Sequence, residues 1–387
     1  MRYVLFLFMF IETTAVYAQT NYSSGPSLFT LSLPPEVKPD STILFRLRAP
    51  YAKEVLLLLD GKEQRMLKDA KGIWNLTARG LTPDVYGYNF IVDSFTVTDP
   101  SNPLLKQGYN SGAQSLVVVP ATPPENWELQ DVPHGAVTRH IYRSAIIGDQ
   151  RDFYVYTPPG YNAKRKEAYP LLFLLHGIGG DARAWTQIGF ENIILDNLIA
   201  QGKAKPMIVV NTLGYGIPKN MMGNGSFEKF KSALLKEVLP QIENAYNVSM
   251  ETSERAIAGL SMGGAEAVYA GLNNADKFAW IGAFSSAFVM YRGAGRAGTP
   301  VINHQTGITD ENIYQYNFPG LDKKINEKIK LLWISCGVSD FLMFSNKDFT
   351  KWLSKENINY TNVETPGGHT WMVWRRNLVE FVPLLFR

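Results

Sequence analysis

The hydrophobic positions of this chain change their pattern near residue 120. Before that point, apolar residues come in short, partly alternating runs that are separated by turn residues such as Asp60-Gly61 and Pro83-Asp84. Short runs bounded by turn pairs predict β-strands, and their close spacing predicts a small, all-β, immunoglobulin-like sandwich. The predicted strands cover residues 28–32, 42–47, 55–59, 86–92 and 115–119.

Beyond residue 130 the pattern alternates between continuous apolar runs and amphipathic stretches. Continuous apolar runs are typical of strands buried on both faces, and the amphipathic stretch at 227–239 predicts a helix. The alternation predicts an α/β fold with a mostly parallel sheet and crossover helices, preceded by a hairpin over 135–142 and 152–157. The apolar runs cover residues 169–175, 206–211, 255–258, 280–284 and 330–335.

Two breaks in these patterns predict how the chain is divided. The proline-rich stretch Pro120–Asn126 separates the two patterns, and a stretch of this kind is typical of a linker. We therefore predict a sandwich domain over 25–119, a linker over 120–129 and an α/β domain over 130–387. The segment 291–325, rich in Gly, Asn and Thr, interrupts the alternation and is predicted to form a loop or cap over the site.

The N-terminus and the composition limit where the protein acts and what it binds. One positive charge followed by an apolar run, with small residues before Gln19, predicts a signal peptide over 1–18 and export to the periplasm or the extracellular space. The formal net charge of the 387 residues is only +3, so nucleic acid is not an expected partner. No later stretch reaches transmembrane length, and the single Cys336 lies in an apolar strand as a buried thiol. The sequence does not indicate an oligomeric state.

The stretch Gly259-Leu-Ser-Met-Gly263 carries the candidate nucleophile. An apolar strand precedes it and a run of small residues of helical length follows it, as in the nucleophile elbow of an α/β-hydrolase. The turn requires residues without bulk two positions before and after the serine, and Gly259 and Gly263 meet that requirement. Ser261 is therefore the predicted nucleophile.

A nucleophilic serine needs a histidine base and a carboxylate, which in this fold follow it in the order Ser, acid, His. His369, flanked by glycines between a strand and the last helix, is the predicted base, and His304 is read as a surface or cap residue. Asp340, at the end of an apolar strand, is the predicted acid, with Glu364 as the alternative.

The oxyanion hole should combine the amide after the nucleophile with one from an earlier loop. Met262 supplies the first amide, and Ile178, in the glycine-rich stretch His176-Gly-Ile-Gly-Gly180, is predicted to supply the second. His176 is expected to order this loop by hydrogen bonding rather than to act as a base. No group of His, Asp and Glu has metal-ligand spacing, so neither a metal nor another cofactor is expected.

Four motifs together resemble carbohydrate esterase family 1, which includes feruloyl and acetylxylan esterases within the esterase D-like hydrolases. They are His176-Gly-Ile-Gly-Gly180, Ala256–Gly264, Cys336-Gly-Val-Ser-Asp340 and Gly368-His-Thr-Trp-Met-Val-Trp374. The resemblance implies a Ser261–His369–Asp340 triad, oxyanion donors at Met262 and Ile178, and an acyl-enzyme mechanism without a metal.

The front segment resembles family-48 carbohydrate-binding modules and related early-set domains. The matching stretches are Phe45–Pro50, Gly72-Ile-Trp74, Leu81–Tyr88 and Asp99-Pro100. If the segment binds glycan, Trp74, Tyr86 or Tyr88 are the aromatic residues that could stack on a sugar, although aromatics of a small sandwich also form its core.

The sequence thus predicts a secreted serine esterase for feruloyl esters on plant cell-wall polysaccharide such as arabinoxylan. Trp185, Trp371 and Phe341 are candidate contacts for the phenolic ring. Three alternatives stay open: an acetylxylan esterase, a secreted esterase for a siderophore or another ester, and a polysaccharide-binding protein with a vestigial hydrolase domain.

Overall fold

A computed structural model describes residues 34–106, 112–217, 225–292 and 312–387 of the chain. The predicted signal peptide, the predicted strand at 28–32 and His304 all lie outside the described residues, as does most of the predicted cap. Among the described residues, no helix has both the length and the apolar character needed to cross a bilayer.

The described part of the chain before residue 120 forms two antiparallel sheets that pack face to face. Its strands are β1 (Glu36–Val37), β2 (Ile43–Arg48), β3 (Val55–Leu59), β4 (Lys62–Arg65), β5 (Leu67–Lys68), β6 (Ile73–Ala78), β7 (Asp84–Val92), β8 (Phe95–Val97), β9 (Leu105–Lys106) and β10 (Gln114–Val119). One sheet has the order β1-β2-β6-β5, and the other has the order β4-β3-β7-β10-β9 with β8 paired to β7. Alternate residues of β2 and β3 are buried because one face of each sheet covers the shared core.

The second part of the chain is built on one large sheet. Its strands are β11 (Ala136–Arg143), β12 (Gln150–Thr157), β13 (Leu171–Leu175), β14 (Ile208–Thr212), β15 (Arg255–Leu260), β16 (Trp280–Phe284), β17 (Leu331–Gly337) and β18 (Thr361–Thr365). They lie in the order β11-β12-β14-β13-β15-β16-β17-β18. In this order, the strands from β14 to β18, β13 included, run parallel. Strands β11 and β12 form an antiparallel hairpin at one edge, and β12 also pairs antiparallel with β14.

Helices cover both faces of this sheet. The α-helices of the described residues are α1 (Glu191–Ala200), α2 (Ser226–Ala233), α3 (Leu239–Ala245), α4 (Met262–Leu272), α5 (Asn312–Asn317), α6 (Met343–Lys355) and α7 (Trp371–Phe381). Strands β13 to β16 are buried along nearly their whole length, as continuous apolar runs require. The predicted fold class, an α/β-hydrolase preceded by an all-β sandwich, is confirmed.

The helix predicted at 227–239 is interrupted. It consists of α2, a π-helical turn at Leu234–Val238, and α3, whose first turn contains Pro240. A proline has no amide hydrogen and its ring displaces the carbonyl four residues earlier, so a regular α-helix cannot continue through it.

The sandwich is fixed to the hydrolase part by a buried ion pair. Asp84, the first residue of β7, accepts hydrogen bonds from Arg375 and Arg376 of α7, and neither Asp84 nor Arg375 is exposed to solvent. Val85 and Leu116 extend the contact, because they pack in the same apolar cluster as the residues of the hydrolase core. α7 is therefore held by β7 of the sandwich and by the hydrolase core. It begins two residues after His369.

Candidate active site

Ser261 occupies a sharp turn between β15 and α4. Its φ of 53° and ψ of −117° are unfavourable for a residue with a side chain, and such strain persists only where the surroundings enforce it. The flanking glycines show how tight the turn is. A Cβ at Gly259 would lie 2.3 Å from the carbonyl oxygen of Gly263, and a Cβ at Gly263 would lie 2.4 Å from the carbonyl oxygen of His176.

The structure brings Ser261, His369 and Asp340 into one hydrogen-bonded chain. The Oγ atom of Ser261 lies 3.0 Å from Nε2 of His369, and Nδ1 of His369 lies 2.8 Å from Oδ2 of Asp340. Asp340 follows β17 and His369 follows β18, so both side chains come from the carboxyl edge of the sheet, where Ser261 also lies. This is the geometry of a serine activated by an oriented histidine base.

The environment of Asp340 keeps this carboxylate ionised. Burial alone would raise its pKa, but hydrogen bonds from His369 and from the Leu342 amide outweigh that effect and hold the pKa below its ordinary value. The Leu342 amide donates to Oδ1 at 2.8 Å, which leaves Oδ2 for the imidazole. A carboxylate fixed in this way selects the histidine tautomer with the proton on Nδ1 and leaves Nε2 free to accept the serine proton.

The alternative acid occupies a different position. Glu364 lies in β18, and its Oε1 is 3.4 Å from Nζ of Lys347 on α6. Its ion-pair partner is therefore Lys347, and Nδ1 of His369 is bound to Asp340 instead.

The two predicted oxyanion donors come from different elements of the hydrolase part. Met262 is the first residue of α4 and directly follows Ser261, and Ile178 lies in the loop after β13 and lines the cavity that contains Ser261. Within the described parts of the chain, neither backbone amide donates a hydrogen bond. Unpaired amides at a helix N-terminus and in a glycine-rich loop are suited to stabilise a developing oxyanion.

A second layer of hydrogen bonds orders the oxyanion loop. His176 is buried, with Nδ1 2.7 Å from the Gly177 carbonyl and Nε2 accepting from the Gly214 amide at 2.9 Å. Burial lowers its pKa, so the neutral ring links the two loops, as the sequence predicted for its ordering role. The Tyr215 hydroxyl completes the support, because it accepts from the Gly179 amide and donates to the Gly180 carbonyl, both at 2.9 Å. Sequence reasoning did not single out Tyr215, which lies in a loop without a recognisable motif.

The site opens into a cavity of about 510 Å³ that has two walls of different origin. The hydrolase part supplies Ser261, His369, the oxyanion loop 177–180 and the segment 370–372. The sandwich supplies polar side chains that the sequence did not connect with the site. They are Asp60, Lys106 and Gln114.

The aromatic residues predicted to hold substrate lie in different environments. Trp371 lines the cavity. Phe341 is 68 % exposed, and its ring centroid lies 4.6 Å from that of His369, so its proposed contact with a phenolic ring stays a prediction. Trp185 was expected at the mouth but is only 1 % exposed, since its indole packs edge-on against Trp371 and donates to the Leu175 carbonyl. Trp185 supports the site from the core and has no face open to substrate.

The candidate glycan contact at Trp74 is also corrected. Trp74 is 6 % exposed within the sandwich core, and its indole donates to the Ala49 carbonyl at 2.9 Å. Tyr86 and Tyr88 are buried in the same core. A sugar stacks only on an exposed ring face, so the aromatic residues of this core cannot provide one.

In the ranges that the structure describes, there is no group of three or more His, Cys, Asp or Glu side chains arranged to hold a metal ion. The residues around Ser261 provide a base, a carboxylate and amide donors, which together are sufficient for acyl transfer through a covalent intermediate.

Comparison with known proteins places this geometry in context. The model of the Esterase family matches residues 144–385. An endo-1,4-β-xylanase/feruloyl esterase of Xylanibacter ruminicola is 32 % identical over 270 residues, which make up 66 % of this chain and 36 % of that protein. The chain thus spans little more than a third of the length of this relative.

Two solved structures share the fold. A CE1 ferulic acid esterase of Anaeromyces mucronatus is 21 % identical with a TM-score of 0.55, covering 68 % of this chain and 96 % of that one. The enterobactin esterase FES of Shigella flexneri is 20 % identical with a TM-score of 0.63, and this likeness covers 88 % of this chain and 92 % of that one.

Proposed function

The chain belongs to the Esterase family of carboxylic ester hydrolases, and we propose that it is a secreted serine esterase that removes feruloyl groups from plant cell-wall polysaccharide such as arabinoxylan. The hydrogen-bonded chain from Ser261 through His369 to Asp340 is the observation that carries the reaction type. The 32 % identity with a protein named as a xylanase and feruloyl esterase supports the substrate class.

The geometry gives each residue a role in the first half of the reaction. Nε2 of His369 accepts the proton of Ser261 as Oγ attacks the ester carbonyl carbon. The carbonyl oxygen becomes an oxyanion that the Met262 and Ile178 amides stabilise. When the tetrahedral intermediate collapses, the bond to the alcohol breaks, and the proton on His369 passes to the departing sugar hydroxyl.

In the second half, water replaces the alcohol. His369 accepts a proton from water, the resulting hydroxide attacks the acyl-enzyme carbonyl, and the same amides hold the new oxyanion. Collapse releases the carboxylic acid and returns the proton to Ser261. Asp340 stabilises the imidazolium in both halves without taking a proton itself.

The substrate proposal depends on features around the triad. Trp371 in the cavity and the exposed Phe341 beside His369 are aromatic surfaces within reach of a bound ester. Export is supported by the pattern of residues 1–18, and a cell-wall polysaccharide is met outside the cytoplasm. Glycan binding by the sandwich remains part of the proposal, but without Trp74 as its contact.

Initial rates on methyl ferulate and on an aryl acetate, with wild type beside Ser261→Ala, test the proposal. Turnover of ferulate that disappears in the variant is the expected result, since the variant has no nucleophile. Turnover of the aryl acetate alone would change the proposed acyl group from feruloyl to acetyl and leave the proposed mechanism unchanged. Wild-type rates indistinguishable from those of Ser261→Ala on both esters would refute the serine esterase and favour a binding protein with a vestigial hydrolase domain.

The rival substrate, a siderophore or another non-carbohydrate ester, is tested in the same assay. The probe is an ester of 2,3-dihydroxy-N-benzoyl-serine, whose ester bond does not involve a sugar. If that ester were hydrolysed with a kcat/KM a hundred times that of methyl ferulate and of a feruloylated oligosaccharide, the cell-wall substrate would be refuted.

A further inference from the structure

The cavity at Ser261 is closed on one side by the sandwich. Asp60 lies in the turn between β3 and β4, Lys106 ends β9, and Gln114 begins β10. Lys106 and Gln114 are direct partners in the ladder between β9 and β10, so their side chains start from neighbouring points of the same sheet. We call this set of three residues the sandwich wall.

Lys106 is in an unusual position for a lysine of a sheet edge. It is partly buried, and burial lowers the pKa of its amine. In the described ranges, its amine makes neither an ion pair nor a hydrogen bond. A desolvated ammonium without a partner is unfavourable, and it gains free energy from any ligand that brings oxygen acceptors into the cavity.

The other members of the wall favour a neutral, hydroxyl-rich ligand over a simple anion. Gln114 offers both a donor and an acceptor, and Asp60 contributes a carboxylate to the same cavity. An anion would be attracted by Lys106 but repelled by Asp60. Sugar hydroxyls both donate and accept, so they can satisfy all three side chains.

The wall borders the same cavity as His369, the residue that protonates the departing alcohol. His369 has to protonate the departing oxygen, so the alcohol must leave over the imidazole. The cavity that the wall closes is bordered by His369 and by the residues after it, Thr370 to Met372. Of the segment after β16, the structure describes residues 285–292, and these do not line the cavity.

The wall is held rigidly enough to act as a subsite. Asp84 at the start of β7 is bound to Arg375 of α7, and Val85 and Leu116 pack in the hydrolase core. Binding groups on fixed elements lose little freedom when a ligand arrives.

We propose that the sandwich wall is the subsite for the alcohol part of the ester, in which Lys106, Gln114 and Asp60 bind hydroxyl groups of the sugar that leaves from Ser261. This inference rests on the proposed esterase function and adds to it. The sandwich then selects the substrate inside the active site through polar side chains of β9, β10 and the turn between β3 and β4, and its buried aromatic residues have no part in binding.

The test compares two esters with the same acyl group. Feruloylated arabinoxylan oligosaccharide and methyl ferulate differ only in the alcohol, and the ratio of their kcat/KM values measures recognition of the sugar. Lys106→Met and Gln114→Leu remove hydrogen-bonding atoms at similar side-chain length. Lys53→Met is the matched control, because Lys53 is an exposed lysine of the same sandwich that does not line the cavity.

Each single variant should lower the ratio about fivefold to tenfold, as expected for loss of one hydrogen bond to substrate, mainly through KM of the sugar ester. The double variant should lower the ratio further, and Lys53→Met should leave it unchanged. A ratio within twofold of wild type in the double variant would overturn the proposal. So would equal losses on both esters, since these would indicate a structural role.

A binding experiment separates this inference from the proposed function. Calorimetry with the unesterified oligosaccharide and full-length Ser261→Ala needs no turnover, and it remains informative even if wild type cleaves neither ester. Binding that weakens at least fivefold when Lys106→Met is added supports the subsite. Absence of binding, or binding indifferent to Lys106, contradicts it.

Discussion

Replacing Asp340 by asparagine should inactivate the enzyme through the tautomer of His369. In the wild type, Oδ1 of Asp340 accepts the Leu342 amide and Oδ2 accepts Nδ1–H of His369. An asparagine has one oxygen and one NH₂ group. Because the Leu342 amide can only donate, the oxygen stays at the Oδ1 position and the NH₂ group faces Nδ1. The ring proton is then forced onto Nε2, where it faces the Ser261 oxygen.

A histidine in that tautomer cannot accept the serine proton. Asp340→Asn should therefore lower kcat about 10⁴-fold, the loss that the same replacement causes in a Ser-His-Asp site. At about 1.4 kcal/mol per tenfold, this is roughly 5.5 kcal/mol of transition-state stabilisation. The side chains are nearly isosteric, so the melting temperature should change far less than the rate.

The assay is kcat at pH 7 on whichever of methyl ferulate and an aryl acetate the wild type turns over. Glu364→Gln is the matched control, since it changes the other candidate carboxylate to an amide, and that side chain faces Lys347. The control should stay within twofold of wild type. An Asp340→Asn enzyme that keeps more than a tenth of wild-type kcat would refute the tautomer argument. An equal loss of kcat in Glu364→Gln would show that Asp340 is not the specific acid of the triad.

Three further changes test the packing of the site and its supports. Gly263→Ala places a Cβ 2.4 Å from the carbonyl oxygen of His176, so thermal unfolding should show a loss of roughly 1–3 kcal/mol together with lower activity. Asp84→Asn leaves the buried guanidinium of Arg375 without a counter-charge, and urea unfolding should show a loss of about 3–5 kcal/mol. Burial raises the pKa of Glu191 from its ordinary 4.5 to about 7. The folded state therefore holds this proton more tightly than the unfolded chain, so the free energy of unfolding of the wild type should fall by up to about 3 kcal/mol from pH 4.5 to pH 7. In melts from pH 4 to pH 8, Glu191→Gln should abolish this loss.

Each of these changes has a result that would contradict it. Gly112→Ala is the control for added volume, because a Cβ there meets nothing within 4 Å, and an equal effect in both glycine variants would remove the steric explanation. Glu54→Gln breaks an exposed pair with Arg65 at 3.7 Å and should cost less than about 1 kcal/mol; the Asp84 argument fails if both variants lose the same. Parallel stability curves for wild type and Glu191→Gln would show that the buried carboxyl does not titrate in this range.

The residues of the candidate triad could be predicted because each lies in a local pattern with its own physical cause. Ser261 needs small neighbours in a strained turn, and the glycines at 259 and 263 reveal that turn in the sequence. Asp340 and His369 each follow a strand of the parallel sheet, and the carboxyl ends of such strands meet at one edge. The chain order Ser, acid, His that is common in this fold was then enough to predict that the three side chains form one hydrogen-bonded series.

Aromatic residues show where prediction from the sequence failed. The sequence cannot tell whether a tryptophan lines a cavity or fills a core, since both environments favour a large apolar ring. Trp185 and Trp74 are candidate ligand contacts in the sequence, yet both are buried with their indole N–H groups bonded to backbone carbonyls. Trp371, predicted on the same grounds, does line the cavity.

The class of fold, the elbow at Ser261 and its two partners follow from the sequence alone, because hydrophobic period, glycine placement and chain order are local properties. That the sandwich borders the active-site cavity becomes visible only in the folded protein. That contact joins residues nearly 300 positions apart, such as Asp84 and Arg375, and depends on how two independently patterned surfaces fit together. Lys106 and Gln114 have no motif around them, and they matter to the site only because β9 and β10 are docked beside Ser261.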